Sequence, residues 1–153
     1  MIEDSDIESW KMLLKGVSFF ADFDDDEITL VIKMGEIKKF GHHEYISKEN
    51  SIASNLYVII KGSVGIIKQY KKDRRKQLLN TLEEGDCIGE MAILLDGQRT
   101  ASMLSMNETV VYVIDGLKIR DLPEKTQVKF YKNMGSSLAK KLKIYSSVPK
   151  EFM

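Results

Sequence analysis

The stretch from Gly89 to Ala101, Gly-Glu-Met-Ala-Ile-Leu-Leu-Asp-Gly-Gln-Arg-Thr-Ala, combines what is needed to hold a small phosphate with one carboxylate to read a sugar. Glycine lets backbone approach a ligand closely. A short turn opening at Glu90-Met91-Ala92 aims unpaired N–H groups outward, where an anion satisfies them. Arg99 adds a guanidinium fork that is always charged and matches phosphate oxygens. Two anions repel, so Glu90 does not serve the phosphate, and its carboxylate is left to accept a hydrogen bond from a ribose hydroxyl. Phosphate and ribose together point to a nucleotide. Taken alone, a Glu and an Arg in one small loop favour a plain ion pair, and that alternative stays open.

These residues need a frame. Ser5-Asp6-Ile7-Glu8 reads as a capping box, and Ile7, Trp10, Leu13 and Leu14 recur on one helical face until Gly16. Phe19 and Phe20 follow in a loop. Asp24-Asp25-Asp26-Glu27 then places acids at the start of a second helix that runs through Met34 and stops at Gly35. From Glu36 the period changes to alternation. Ile37, Tyr45-Ile46, Leu56 to Ile60, Val64 to Ile67, Leu78 to Leu82, the segment holding Cys87, Ala101 to Met106 and Val110 to Ile114 are β-rich runs. Lys61-Gly62-Ser63 is expected to join two of them as a tight hairpin, and Asn50-Ser51 and Glu84-Gly85-Asp86 are further turns. Strands of this number and spacing predict a jelly roll or barrel. Asp115 caps a short helical turn, and Pro123 suits the first turn of a last helix reaching about Tyr145.

The composition narrows the function classes. The chain has 153 residues, the length of one domain, with 23 Lys plus Arg against 23 Asp plus Glu, so no global field draws it to nucleic acid or an anionic membrane. No apolar run approaches a membrane span, and the acidic start Met-Ile-Glu-Asp-Ser-Asp is unlike a signal peptide, which predicts a cytoplasmic protein with no membrane contact. Cys87 is the only cysteine, excluding an internal disulfide and a cysteine-based zinc site, and its apolar surroundings predict a buried thiol. His42-His43 lacks an obvious third ligand, so no metal is expected. No serine has a His and an Asp arranged around it, and no carboxylate pair has a catalytic logic, so the chain does not read as an enzyme. Tyr70 to Lys76 is a basic patch beside an aromatic at a hairpin tip, open to solvated charge or to a phosphate-rich partner.

The segment Gly89 to Ala101 resembles the phosphate-binding cassette of the cyclic nucleotide-binding domain family: Gly-Glu-x-Ala-x-Leu, a spacer, then Arg, a small residue and Ala. Gly89, Glu90, Ala92, Leu94, Arg99 and Ala101 all stand in register with that pattern. Framework residues agree as well: Phe40, Glu44 and Ile46, then Ile60-Lys61-Gly62-Ser63-Val64, then Leu82 and Gly85-Asp86. The resemblance runs from about Leu13 to Leu142. The family usually has glycine where His43 and Asn50 stand and proline where Gln98 stands; His43 puts the local turn in doubt, but not the pocket.

The resemblance implies a mainly β fold with flanking helices, in which an eight-stranded β-roll (a double-stranded β-helix or jelly roll) lies between N-terminal helices and a C-terminal helix. It divides the single domain into a helical segment 1–35, a roll 36–114 holding the cassette 88–101, and a hinge and helix 115–147. The ligand it implies is cAMP or cGMP, with no other cofactor. Backbone at Ala92, Arg99 and Thr100 would hold the phosphate, Met91 and Ala101 complete the loop, and Glu90, backed by Gly89, would take the ribose 2′-hydroxyl. Ile66, Leu79, Leu82 and Ile88 are candidates for the base wall, and Phe130 or Tyr131 for a residue capping the base. Thr at position 100 leans toward guanine without deciding, because family members with Ser or Thr there also bind cyclic AMP.

Val128, Tyr131, Met134, Leu138, Leu142 and Tyr145 form an apolar stripe on the last helix, which suits packing on the roll or the preceding helix; the resemblance implies that this helix carries binding to an unknown protein effector or a homodimer partner. Only Ser146 to Met153 follow it, which is too short for a helix-turn-helix, so DNA binding by this chain is not expected. The alternatives are a docking or dimerisation module that keeps the fold without ligand, and the sensor fragment of a larger transcription factor, kinase or channel.

Overall fold

The computed structural model describes residues 4–48, 54–95 and 101–146. Helix α1 (Asp4–Lys15), a 3₁₀ turn (Ser18–Phe20) and helix α2 (Asp25–Met34) open the chain. Strands β1 (Glu36–Phe40), β2 (Tyr45–Ser47), β3 (Asn55–Lys61), β4 (Ser63–Gln69), β5 (Lys76–Glu83) and β6 (Cys87–Ile88) follow. Helix α3 (Glu90–Leu95) comes next, then β7 (Ser102–Ser105), β8 (Thr109–Asp115), α4 (Gly116–Ile119) and α5 (Glu124–Ser146).

Local chemistry explains the helix starts. Asp24 caps α2, accepting from the Glu27 N–H at 2.8 Å while the Glu27 carboxylate accepts from the Asp24 N–H at 3.0 Å. Asp115 caps α4 through the Leu117 N–H at 2.9 Å. Helix α1 begins at Asp4, which places Ser5 inside the helix rather than ahead of it. Of the predicted face, Ile7 and Leu14 are buried, whereas Leu13 is exposed.

The strands form two four-stranded antiparallel sheets, ordered β1-β8-β3-β6 and β2-β7-β4-β5. One apolar cluster lies between the sheets, built on Tyr57, Ile59, Val64, Leu82, Met103 and Val111. A second joins the outer side of the first sheet to the helices, with Leu56, Val58, Ile60 and Tyr112 against Phe20, Ile28, Ile32 and Phe130. The first sheet is therefore covered on both faces, which is why β3 reads as an unbroken apolar run rather than an alternating one.

Lys61-Gly62-Ser63 corrects an expectation. It is no hairpin, because β3 belongs to one sheet and β4 to the other, and the turn carries the chain from one sheet to the other. Gly62 has φ 94°, and a Cβ there would stand 2.5 Å from the Glu108 carbonyl oxygen. The turn between β7 and β8 docks on this corner, with the Asn107 side chain accepting from the Ser63 N–H at 2.9 Å. Tyr70 to Arg75 do form the expected hairpin tip between β4 and β5. His43 keeps the turn that its side chain put in doubt by adopting φ 56°, and its N–H donates to the Ser105 carbonyl at 2.8 Å. The predicted turn at Asn50-Ser51 lies outside the described residues.

Helix α5 packs with a different face from the one its apolar stripe predicts. Thr126, Phe130, Met134 and Ser137 are buried, while Val128, Tyr131 and Leu142 are exposed and Leu138 is half-buried. The inward polar groups answer buried acceptors. Thr126 Oγ1 donates to Glu27 at 2.7 Å, the Asn133 amide donates to the Phe19 carbonyl at 2.7 Å, and Lys129 pairs with Glu27. The Tyr145 side chain lies outside the described residues.

Candidate functional site

The cassette begins where β6 ends. Gly89, at φ 98°, turns the chain out of the strand and into α3, a conformation that other residues reach only with strain. Glu90, the first residue of α3, has only 2% of its surface exposed. A buried carboxylate needs partners. Its partner comes from the far end of the chain: Lys141 of α5 pairs with Glu90 and also donates to the Cys87 carbonyl at 3.0 Å. Ser137, one helical turn earlier, donates to the same carbonyl at 3.4 Å. Helix α5 thus holds both the strand that leads into the cassette and the cassette's own glutamate.

Cys87 is buried beneath this contact, and desolvation, with the nearby Glu90 charge adding to it, pushes its thiol up to about 12. At neutral pH it is an inert thiol, as its apolar setting predicted.

The other predicted site residues are placed as follows. Met91 is exposed on α3, the Ala92 backbone lies in the same helix, and Ala101 is half-buried just before β7. Arg99 and Thr100 lie outside the described residues, as does the Ala92 side chain. Ile66, Leu82 and Ile88 belong to the cluster between the sheets. Leu79 does not join them. The register runs Ile66 to Asn80 and then Ile67 to Leu78, so Leu79 is the extra residue of a β-bulge and is exposed. Phe130 is enclosed by Phe19, Phe20 and Phe23, with ring centroids 5.3 to 6.3 Å away, and Tyr131 is exposed. Helix α5 reaches the strand ahead of the cassette through Ser137, and the cassette itself through Lys141.

Lys141 is the residue that sequence reasoning missed. It continues the row of Met134 and Ser137, but a lysine beside an apolar stripe reads as solvent-facing. Nothing in the sequence singles it out as the partner of Glu90, for which Arg99 is the nearer cation. Among the described residues, no group of three or more His, Cys, Asp and Glu could hold a metal ion, and no helix is long and apolar enough to cross a membrane.

The family model described as "Cyclic nucleotide-binding domain" matches residues 37–126. The chain is 28% identical to human cGMP-dependent protein kinase 2 over 109 residues, which is 71% of this chain but 14% of that kinase. Among solved structures, a cyclic nucleotide-binding domain from Methylobacillus flagellatus KT superposes with TM-score 0.76 at 21% identity, covering 95% of this chain and 83% of that one. The regulatory domain of Toxoplasma gondii PKA, crystallised with cAMP, gives TM-score 0.71 at 18% identity, covering 88% of this chain and 53% of that one. With more than half of its length matched by the family model and the same fold in these structures, the chain belongs to the cyclic nucleotide-binding domain family.

Proposed function

We propose that this chain is a cytoplasmic cyclic-nucleotide sensor, without catalytic activity of its own, whose helix α5 reports the state of the cassette. The observation that carries this reading is the pairing of buried Glu90 with Lys141. The residue assigned to the ribose hydroxyl is the same residue that anchors the output helix. A nucleotide arriving at Glu90 changes the partners of Lys141, and the difference in ligand affinity between the held and released arrangements of α5 is the free energy available for signalling.

In this reading Gly89, Glu90, Met91, Ala92, Arg99, Thr100 and Ala101 are the ligand-binding residues, with Arg99 supplying the countercharge for the phosphate. Ile66, Leu82 and Ile88 form the apolar wall. The ligand is cAMP or cGMP; the relatives include a cGMP-dependent kinase and a PKA domain with cAMP, so both nucleotides belong in the test. The exposed side chains of Val128, Tyr131 and Leu142 along α5 offer a surface for an effector or a second copy.

The same ion pair favours a second reading, in which Glu90 and Lys141 are purely structural and the chain is a docking module without ligand. Thermal unfolding with each nucleotide separates the two. Ligand at about 100 times its dissociation constant adds about 2.7 kcal/mol of stability to a sensor. An unchanged unfolding temperature with both nucleotides overturns the sensor reading.

A further inference from the structure

A second concave feature lies away from the space between the sheets. On β4 and β5, Val64, Ile66 and Leu82 face that space. Gly65 therefore faces outward, and a Cβ there would meet Met106 and Leu78. The alternation continues outward to Gln69 and Lys76, which are paired across the two strands. On β2, Ile46 packs inward, so Tyr45 faces out. At this outer end of the second sheet is an open cleft of about 540 Å³ with Lys48, Lys71, Arg74, Lys76, Tyr45 and Tyr70 in its lining and no carboxylate among the described residues that form it.

Three of the cations here stand against aromatic rings. Lys76 donates to the Tyr45 hydroxyl at 3.3 Å, and Lys48 and Lys76 stand 5.5 and 5.9 Å from the Tyr45 ring centroid. Arg75 lies 4.9 Å from the Tyr70 ring centroid, and the Tyr70 hydroxyl donates to Gln77 at 2.6 Å. Asp73, the one acid at the hairpin tip, accepts from the Arg75 N–H at 3.0 Å and so closes the turn. Among the described residues, Lys71, Arg74, Arg75 and Lys76 enter no ion pair. Arg74 holds φ 56°, a strained conformation for a residue that is not glycine.

Like charges gathered around one cleft repel until an anion enters. The tyrosine faces are already covered by cations, which leaves them unavailable for stacking bases and disfavours single-stranded nucleic acid. The cleft has the size of a small-molecule site. We infer that it binds a compact ligand carrying several phosphate groups, supplied either as a free polyphosphorylated metabolite or as a lipid headgroup.

The test uses the full chain at about 0.15 M salt, where screening suppresses diffuse attraction. Calorimetry with myo-inositol hexakisphosphate and sedimentation with phosphatidylcholine vesicles, with and without phosphatidylinositol bisphosphate, form its two arms. Binding of the free probe alone supports a soluble ligand, and retention on the bisphosphate vesicles, displaced by the free probe, supports a headgroup. The Lys71→Gln, Arg74→Asn double variant keeps the turn, because Asn tolerates positive φ, and is expected to bind roughly tenfold more weakly or worse. Its cyclic-nucleotide affinity should stay unchanged, and its thermal unfolding temperature should not fall, because Asn relieves the strain at position 74. The inference is overturned by no binding in either arm, by equal binding of the double variant, by displacement with saturating cyclic nucleotide, or by tighter binding of a single-stranded oligonucleotide.

Discussion

Lys141 and Glu90 stand 51 residues apart in the chain and meet beneath α5, where one ammonium joins the first residue of α3 to the carbonyl of Cys87. Glu90 is buried and Lys141 is largely so, which makes the loss of either partner costlier than the loss of a surface pair. Lys141→Ala is expected to lower stability by about 1–3 kcal/mol, because it leaves a buried carboxylate without its cation. In a urea-unfolding double-mutant cycle with Glu90→Gln, coupling of at least about 1 kcal/mol is expected. Strict additivity would show that the two side chains do not act together.

The role proposed for Glu90 has a chemical control. A cyclic nucleotide lacking the 2′-hydroxyl should bind the native chain roughly tenfold more weakly or worse, since a charged hydrogen bond is lost. Glu90→Ala should weaken the parent nucleotide and bring the two ligands to within about twofold of each other. Calorimetry in which Glu90→Ala still discriminates fully would assign the ribose contact to another residue.

Glu27 ties α5 to α2, and this makes stability pH-dependent with a definite sign. Burial opposes its ionisation, but Lys129, the Asp24 N–H and Thr126 outweigh burial and hold the carboxyl below its ordinary value of 4.5. A depressed carboxylate stabilises the fold above that value, and the stabilisation is lost as pH falls through the folded value. The stability difference between the native chain and Glu27→Gln, measured in urea, should be larger at about pH 7 than at about pH 3. Equal differences at both would remove the ionised pair as the cause.

His43 and Gly62 give opposite predictions from the same backbone rule. His43 sits at φ 56°, so His43→Gly removes left-handed strain and should raise stability by about 0.5–1 kcal/mol after the entropy cost of glycine. Gly62→Ala meets the Glu108 carbonyl at a strained φ and should lower stability by about 2 kcal/mol or more. Chemical denaturation of both variants checks the pair, and shifts of the same sign would contradict it.

Much of this was legible in the sequence because local chemistry and burial agreed. The acids at the start of α2 and the β-rich run from Leu56 to Ile60 stand in the structure where the sequence puts them. The corner at Gly62 was not legible, since a hairpin and a change of sheet both call for a glycine of positive φ. The face of α5 misled for a different reason: its inward side carries Thr126, Asn133, Ser137 and Lys141 to satisfy acceptors from distant elements, while Val128 and Leu142 are left outside. Periodicity counts apolar residues and is blind to polar ones that face inward. Register with a known cassette singles out Glu90 in the sequence, whereas nothing there singles out Lys141, the cation that pairs with it.

Strand β3 sends Leu56, Val58 and Ile60 toward the helices and Tyr57 and Ile59 toward the other sheet. It is a party wall, and neither room can be emptied without exposing it. Helices and roll should therefore melt in one cooperative transition, with no stable half-folded species in which one layer survives the other.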